Sequence, residues 1–197
     1  MTTSIIIPAR YGSSRYRGKP LVKILGREMV LRVAEICKKI KNAKVYIATD
    51  SKKIANVAKK NGYAYIFTSN TCLTGTDRVA EASKKIRSKI YINVQGDEPT
   101  IDPRDIIKII NAKKKFPNHV ICGYDKVHDF EKAESSNLPK VVVNSKGELI
   151  YISRALVPGS KKKIKEFNII NKFVFMHLIK INLKNFILLK KKVKQKV

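Results

Sequence analysis

The residues able to do chemistry gather in three short segments. The first reads Pro8-Ala9-Arg10-Tyr11-Gly12-Ser13-Ser14-Arg15-Tyr16-Arg17-Gly18-Lys19-Pro20. Its two glycines and two serines let backbone and hydroxyl donors approach a ligand closely, and Arg10, Arg15, Arg17 and Lys19 supply four cations. A triphosphate needs that combination of donors, guanidinium forks and a lysine point charge. The segment is not a Walker A loop, because Pro20 follows Lys19 where that motif needs Ser or Thr. The second segment, Asn93-Val94-Gln95-Gly96-Asp97-Glu98-Pro99, carries two acids beyond a glycine. A hard cation bound to phosphate oxygens takes one or two carboxylates and keeps its waters, which suits Mg2+, with Asp97 as the ligand. The third is Thr74-Gly75-Thr76-Asp77-Arg78-Val79-Ala80-Glu81, in which Thr76 or Asp77 can cap a helix. Arg78 is suited either to an acidic substrate or to a local pair with Glu81 one turn on. Arg154, after Ser153, poses the same choice. His119, His128 and His177 have no ligand spacing, so core or surface roles are expected for them.

These segments need a scaffold that carries them to one place. Ile5-Ile6-Ile7 reads as a buried strand, and apolar residues over 45–48, 64–67, 90–94, 120–124, 140–143 and 149–153 read as further strands. Helical spacing runs over 30–40, 52–61, 76–86 and from Pro103 to Lys115, with Thr49-Asp50-Ser51 available to cap the second of these. Strand and helix alternate with short connections, which predicts an α/β fold with a doubly wound, mostly parallel sheet. Such sheets bind ligands beyond the carboxyl ends of their strands. The loops after Ile7, Ala48 and Val94 should therefore converge on one crevice.

Composition narrows the classes. The 197 residues suffice for one α/β domain and are too few for two. The net charge is +27. Residues 1–160 hold 30 basic and 14 acidic residues, while residues 161–197 hold 12 basic and one acidic. An excess of this kind suggests nucleic acid or an anionic membrane, but there is no pattern of interleaved aromatics to stack bases. The lysine excess is also what A-rich codons produce. Cys37, Cys72 and Cys122 are too scattered for a disulfide frame or a zinc site and read as small buried residues in a reducing compartment. With neither a signal peptide nor an apolar run long enough to span a bilayer, a cytoplasmic protein is expected.

The three segments, taken together, resemble the cytidylyltransferases that activate acidic sugars as CMP derivatives. Ile7-Pro8-Ala9-Arg10-Tyr11-Gly12-Ser13-Ser14-Arg15 with Gly18-Lys19-Pro20-Leu21 is similar to their signature loop. The other two segments and Ile152-Ser153-Arg154 resemble the branch acting on 3-deoxy-manno-octulosonate (KDO). The resemblance implies a nucleotide-diphospho-sugar transferase-like fold and a reaction in which CTP and KDO give CMP-KDO and pyrophosphate for lipopolysaccharide assembly. It implies a nucleotide site of Pro8, Ala9, Arg10, Ser13, Lys19 and Gln95, with Arg10, Arg15 and Lys19 catalytic through charge neutralisation. It further implies a sugar site of Arg78, Gln95 and Arg154, Mg2+ on Asp97, and a homodimer. Tyr16-Arg17 stands where the family has Leu-Pro. A cytidylyltransferase for another acidic sugar, or an inactive partner subunit, are the alternative readings.

The resemblance stops near Glu166. Residues 171–180, Asn-Lys-Phe-Val-Phe-Met-His-Leu-Ile-Lys, back-translate to codons that, read one base earlier, give Gln-Val-Cys-Ile-Tyr-Ala-Phe-Asn-Lys, the strand with which the family continues. The expectation is a cytidylyltransferase domain over 1–167, incomplete at its end, and an out-of-frame basic and apolar tail over 168–197. Such a chain would lack a second metal carboxylate and much of the dimer interface, and would make little or no CMP-KDO.

Overall fold

A computed structural model of the chain describes residues 2–12, 16–127, 133–157, 171–178 and 188–190. In chain order these form β1 (Thr3–Pro8), a 3-10 turn (Lys19–Leu21), β2 (Lys23–Ile24), β3 (Arg27–Glu28), α1 (Met29–Lys38), β4 (Ala43–Thr49), α2 (Lys52–Lys60), β5 (Ala64–Phe67) and α3 (Gly75–Lys84). β6 (Ile90–Asn93), α4 (Pro103–Lys115), β7 (Val120–Lys126), β8 (Lys140–Val143), β9 (Leu149–Ser153), β10 (Asn171–Leu178) and β11 (Leu188–Lys190) follow.

The first apolar run becomes the middle of the sheet. β1 pairs in parallel with β4 on one side and β6 on the other, and β4 pairs in parallel with β5. Successive side chains of a strand point to opposite faces. Ile5 and Ile7 therefore enter one core, with Val33 and Cys37 of α1, Ile54 of α2 and Ile106 of α4, while Ile6 enters the other with Val79 and Ala82 of α3. Helices thus cover both faces, as the alternation of elements predicts, with strand order β5-β4-β1-β6 and its reversal point at β1. Beyond β6 the sheet is mixed: β10 runs antiparallel to β6, β7 and β8, β8 pairs antiparallel with β9, and β11 pairs in parallel with β7.

Three local expectations are corrected. Ser51 occupies the N-cap of α2 without a side-chain cap bond, and the Thr49 hydroxyl accepts from Ser51 N–H instead (3.1 Å). α3 is capped by Thr74, not by Thr76 or Asp77. The Thr74 hydroxyl accepts from Asp77 N–H (3.1 Å) while Asp77 accepts from Thr74 N–H (2.8 Å), which satisfies two orphan amides reciprocally. Cys72 is half-buried, its thiol donating to Glu81 (3.2 Å), whereas Cys37 and Cys122 are buried, and none of the three is in a disulfide. Burial pushes the Cys37 thiol up to about 12. The hairpin of β2 and β3 has no counterpart in the sequence reading. It turns on Leu25 and Gly26, both at positive φ (48° and 79°), the geometry that matches strand twist. Arg32 anchors it by donating to the carbonyls of Ile24 (2.6 Å) and Leu25 (2.9 Å). His119 has a buried Nδ1 with no hydrogen-bond partner among the described residues, and its ring lies edge-on to Phe116; His128 and the side chain of His177 lie outside the described residues. Among the described residues no helix is long and apolar enough to cross a membrane.

Candidate active site

The carboxyl ends of β1, β4 and β6 bring the predicted loops together. After β1 the backbone leaves the sheet at Ala9, whose N–H donates to Ala48 at the end of β4 (2.8 Å). The loop base closes where Gly18 N–H donates to the Tyr11 carbonyl (2.8 Å). Gly18 sits at φ 75°, and a Cβ there would stand 3.2 Å from the Tyr11 ring, so this position needs glycine on both counts. Arg17 and Lys53 lie over the Tyr11 ring (5.7 and 5.1 Å), which makes Arg17 a cation–π partner of the loop.

A cleft of about 230 Å3 results, lined by residues 8–10, 19–20, 73–75, 78 and 95–97. It unites Pro8, Ala9, Arg10, Lys19, Arg78, Gln95 and Asp97 from segments up to about ninety residues apart in the chain. Lys19 and Asp97 are in direct contact: the ammonium donates to Asp97 Oδ2 at 2.6 Å, with both side chains nearly half exposed. An exposed pair of this kind contributes about 1 kcal/mol or less to stability, so its interest lies in charge placement. The backbones meet at Gly96, where a Cβ would fall 2.8 Å from the Pro8 carbonyl oxygen. Gly96→Ala is therefore expected to push the two loops apart, costing about 1–3 kcal/mol of stability. Urea denaturation would check this, and an unchanged midpoint would show that the close approach is dispensable.

Arg78 lines the cleft but turns most of its side chain inward. Glu81 accepts instead from Ser69 N–H, Cys72 and Lys85, so the local pair does not form. The Arg78 side chain is 2% exposed; its Nη2 donates to Asp50 Oδ2 (2.9 Å) and its Nη1 to the Thr68 hydroxyl. Asp50 Oδ1 in turn accepts from Tyr11 N–H (3.4 Å). One buried guanidinium thus ties together the loops after β1, β4 and β5 and the start of α3, and presents only its edge to the cleft. Asp50 and Thr68 carry no motif of their own. The legible signal is a polar residue directly after a strand's last apolar position, which puts it at the sheet's carboxyl edge. Arg154 is not among the cleft residues; it is exposed after β9 and donates to the carbonyls of Ser136 (2.8 Å) and Asn137 (3.4 Å). Ser13 and Arg15 lie outside the described residues.

The donor set fits a divalent cation of the Mg2+ kind in part. Asp97 faces the cleft with only Oδ2 engaged, as a single carboxylate sharing a cation with phosphate oxygens and water would. No cluster of three or more metal-binding side chains exists among the described residues. Glu98, half-buried beside Asp97, has its carboxyl raised to about 7 by desolvation, with the Asp97 charge adding to it. Ionising near 7 in the folded chain and near 4.5 when unfolded, it makes the folded chain hold the extra proton between those values. Its contribution therefore lowers stability as pH rises from 4.5 to 7. Glu98→Gln should flatten that slope and stabilise the chain at neutral pH by about 1–2 kcal/mol. Urea denaturation of both chains at pH values across the window tests this, and parallel curves would refute it.

A doubly wound α/β fold, with a cation, a carboxylate and two close-packed loops at its strand-order reversal, has the arrangement of a ligand-binding α/β domain with its site at the switch point. The chain belongs to the cytidylyltransferase family: the sequence profile described as Cytidylyltransferase matches residues 4–195. It is 37% identical over 155 residues to the 3-deoxy-manno-octulosonate cytidylyltransferase of Escherichia coli, covering 78% of this chain and 63% of that one. With the mitochondrial 3-deoxy-manno-octulosonate cytidylyltransferase of Arabidopsis thaliana it is 40% identical over 159 residues, covering 79% of this chain and 55% of that one. A solved CMP:2-keto-3-deoxy-manno-octonic acid synthetase complexed with CTP superposes with a TM-score of 0.81 at 35% identity, covering 90% of this chain and 73% of the other. The chain thus spans about 55–63% of the length of these two curated relatives.

Proposed function

We propose that the cleft binds CTP and KDO and that the domain belongs to a nucleotidyltransferase forming CMP-KDO and pyrophosphate. The observation that carries this is the meeting of Lys19 and Asp97, from the first and second chemical segments, across loops packed at Gly96. The relatives named above and the CTP-bound neighbour support the choice of nucleotide and sugar. In the reaction the sugar's anomeric hydroxyl attacks the α-phosphorus in line. The bond from that phosphorus to the bridging oxygen breaks, and pyrophosphate leaves while the hydroxyl proton passes to solvent or a nearby base. Arg10, Lys19 and, from the loop, Ser13 and Arg15 neutralise and orient the triphosphate. Gln95 contacts the ribose or the sugar, and Arg78 serves the acidic sugar through the edge it presents to the cleft, whereas Arg154, held on the Ser136 and Asn137 carbonyls outside the cleft, is not assigned to it. Positioning and charge neutralisation supply most of the catalysis in phosphoryl chemistry of this kind. Mg2+, held by Asp97 and the phosphates, would screen charge on the departing pyrophosphate. Cytoplasmic lipopolysaccharide synthesis is the setting we assign.

We further propose that residues 168–197 are translated one base out of frame. Reading the gene's nucleotides across codons 160–197 tests this directly, and the absence of any one-base shift that restores the strand motif refutes it. The activity experiment pairs the chain with its frame-restored counterpart, each given CTP, KDO and Mg2+, with CMP-KDO and pyrophosphate quantified. The restored chain should turn over and the present one hardly at all. Failure of the restored chain to release pyrophosphate from CTP would sink the catalytic reading, and release only with other sugar acids would reassign the substrate.

A further inference from the structure

At the opposite, amino edge of the sheet, a second cleft of about 760 Å3 opens where β1, β4 and β6 begin. Lys44, Arg87, Lys89 and Lys114 line it, and none of its lining residues carries a carboxylate. All four are exposed, and none forms an ion pair among the described residues. Lys114 lies in the last turn of α4, where a cation complements the helix dipole. The other three lie outside the helices, so that account does not reach them.

The strand pairing creates this concentration of charge. Ser4 of β1 stands opposite Lys44 of β4, and Thr3 stands opposite Ile90, the neighbour of Lys89. Lys44 and Lys89 are thereby held on either side of β1, and Arg87 approaches from the turn leading into β6. The floor between them is polar. Ser4, 2% exposed, donates to the Ser88 hydroxyl (3.0 Å), which donates to the Thr2 carbonyl (3.1 Å). Thr3, 6% exposed, lines the same edge of the sheet. Like charges gathered on a fixed frame repel one another, and a bound anion relieves that repulsion.

We propose that this cleft is a second anion site that takes a small polyphosphate, independent of the candidate active site on the far edge. Several adjacent phosphates match several cations over a short span, and hydroxyl donors complete the coordination. The volume is that of a small-molecule site. Among the described residues Tyr46 is the only aromatic lining it, and a single ring is a poor stacking platform for a nucleic-acid strand.

Calorimetric titration of the full chain with inorganic tripolyphosphate tests the proposal. Lys19→Ala removes a cation from the first site, and a second class of sites should persist in that background. Adding Arg87→Ser and Lys89→Ser together should weaken the persisting class by about tenfold or more and shallow its salt dependence. Lys44→Glu should do the same through a different strand, which keeps the test open if the double replacement fails to fold. Lys59→Ser, on an exposed position of α2 outside the cleft, should change affinity less than twofold. Unchanged affinity in both cleft variants would overturn the site. So would an equal loss in Lys59→Ser, which would mark a general charge effect, or tighter binding of a single-stranded oligonucleotide than of tripolyphosphate.

Discussion

Arg78→Met lowers the unfolding free energy of the domain by about 3–5 kcal/mol, the range for removing one partner of a buried ion pair. The guanidinium is 2% exposed and the Asp50 side chain 17% exposed, so the substitution leaves a largely desolvated carboxylate facing only the Tyr11 amide and whatever water can enter. The Thr68 hydroxyl loses its donor at the same time. A domain of ordinary stability has about 5–15 kcal/mol in total, so a loss of this size is visible as a large drop in the urea midpoint. Thr68→Val, which removes one hydrogen bond but no charge, should cost about 1 kcal/mol. Because Asp50 holds the loop after β1 through Tyr11, CTP affinity should fall along with stability in Arg78→Met. A stability loss below about 1 kcal/mol in urea denaturation would mean that water replaces the guanidinium freely and that Arg78 does not brace these loops.

The second large effect separates Lys19 from Asp97 by the sign of the change. Asp97 accepts from the Lys19 ammonium at 2.6 Å and places a negative charge in the cleft that a triphosphate would enter. Asp97→Asn removes that repulsion and frees the lysine, so metal-free CTP binding should tighten by about tenfold, while any gain from Mg2+ held at the proposed Asp97 site should disappear. Lys19→Ala should weaken CTP binding by about tenfold or more with or without Mg2+, since a charge-assisted hydrogen bond is lost in both cases. Calorimetric titrations of the two variants with CTP, in Mg2+ and in chelator, give four affinities. Weaker metal-free binding by Asp97→Asn would show that the carboxylate organises the lysine and does not compete for it.

Much of this arrangement is readable from the chain. Ile5-Ile6-Ile7, bounded by polar residues, announces a central strand because a sheet buried on both faces needs an uninterrupted apolar run. Helical spacing around Val33 and Cys37, Ile54 and Ile106 announces the helices that cover it. The juxtaposition of Lys19 with Asp97 follows from both segments lying directly after strands that neighbour each other at the order reversal. Pro103 at the start of α4, with the Asp102 carboxylate accepting from Arg104 N–H (2.8 Å), was equally legible, since its signal is local. The Leu25-Gly26 turn was not, because a leucine at positive φ contradicts local preference and is held there by the Arg32 side chain donating to its carbonyl.

Residue types and spacing, then, were enough to establish an α/β chain and to single out its glycine- and cation-rich first loop and Gly-Asp pair as candidates for phosphate and metal chemistry, since those signals rest on backbone reach and formal charge. The role of Arg78 came from the fold. The partners of an arginine depend on which strand ends stand beside it, and Asp50 and Thr68 meet it only because β4 and β5 lie on the same side of β1. The cationic cleft at the amino edge arises in the same way, from lysines and an arginine unremarkable in the chain until strand pairing gathers them around Ser4.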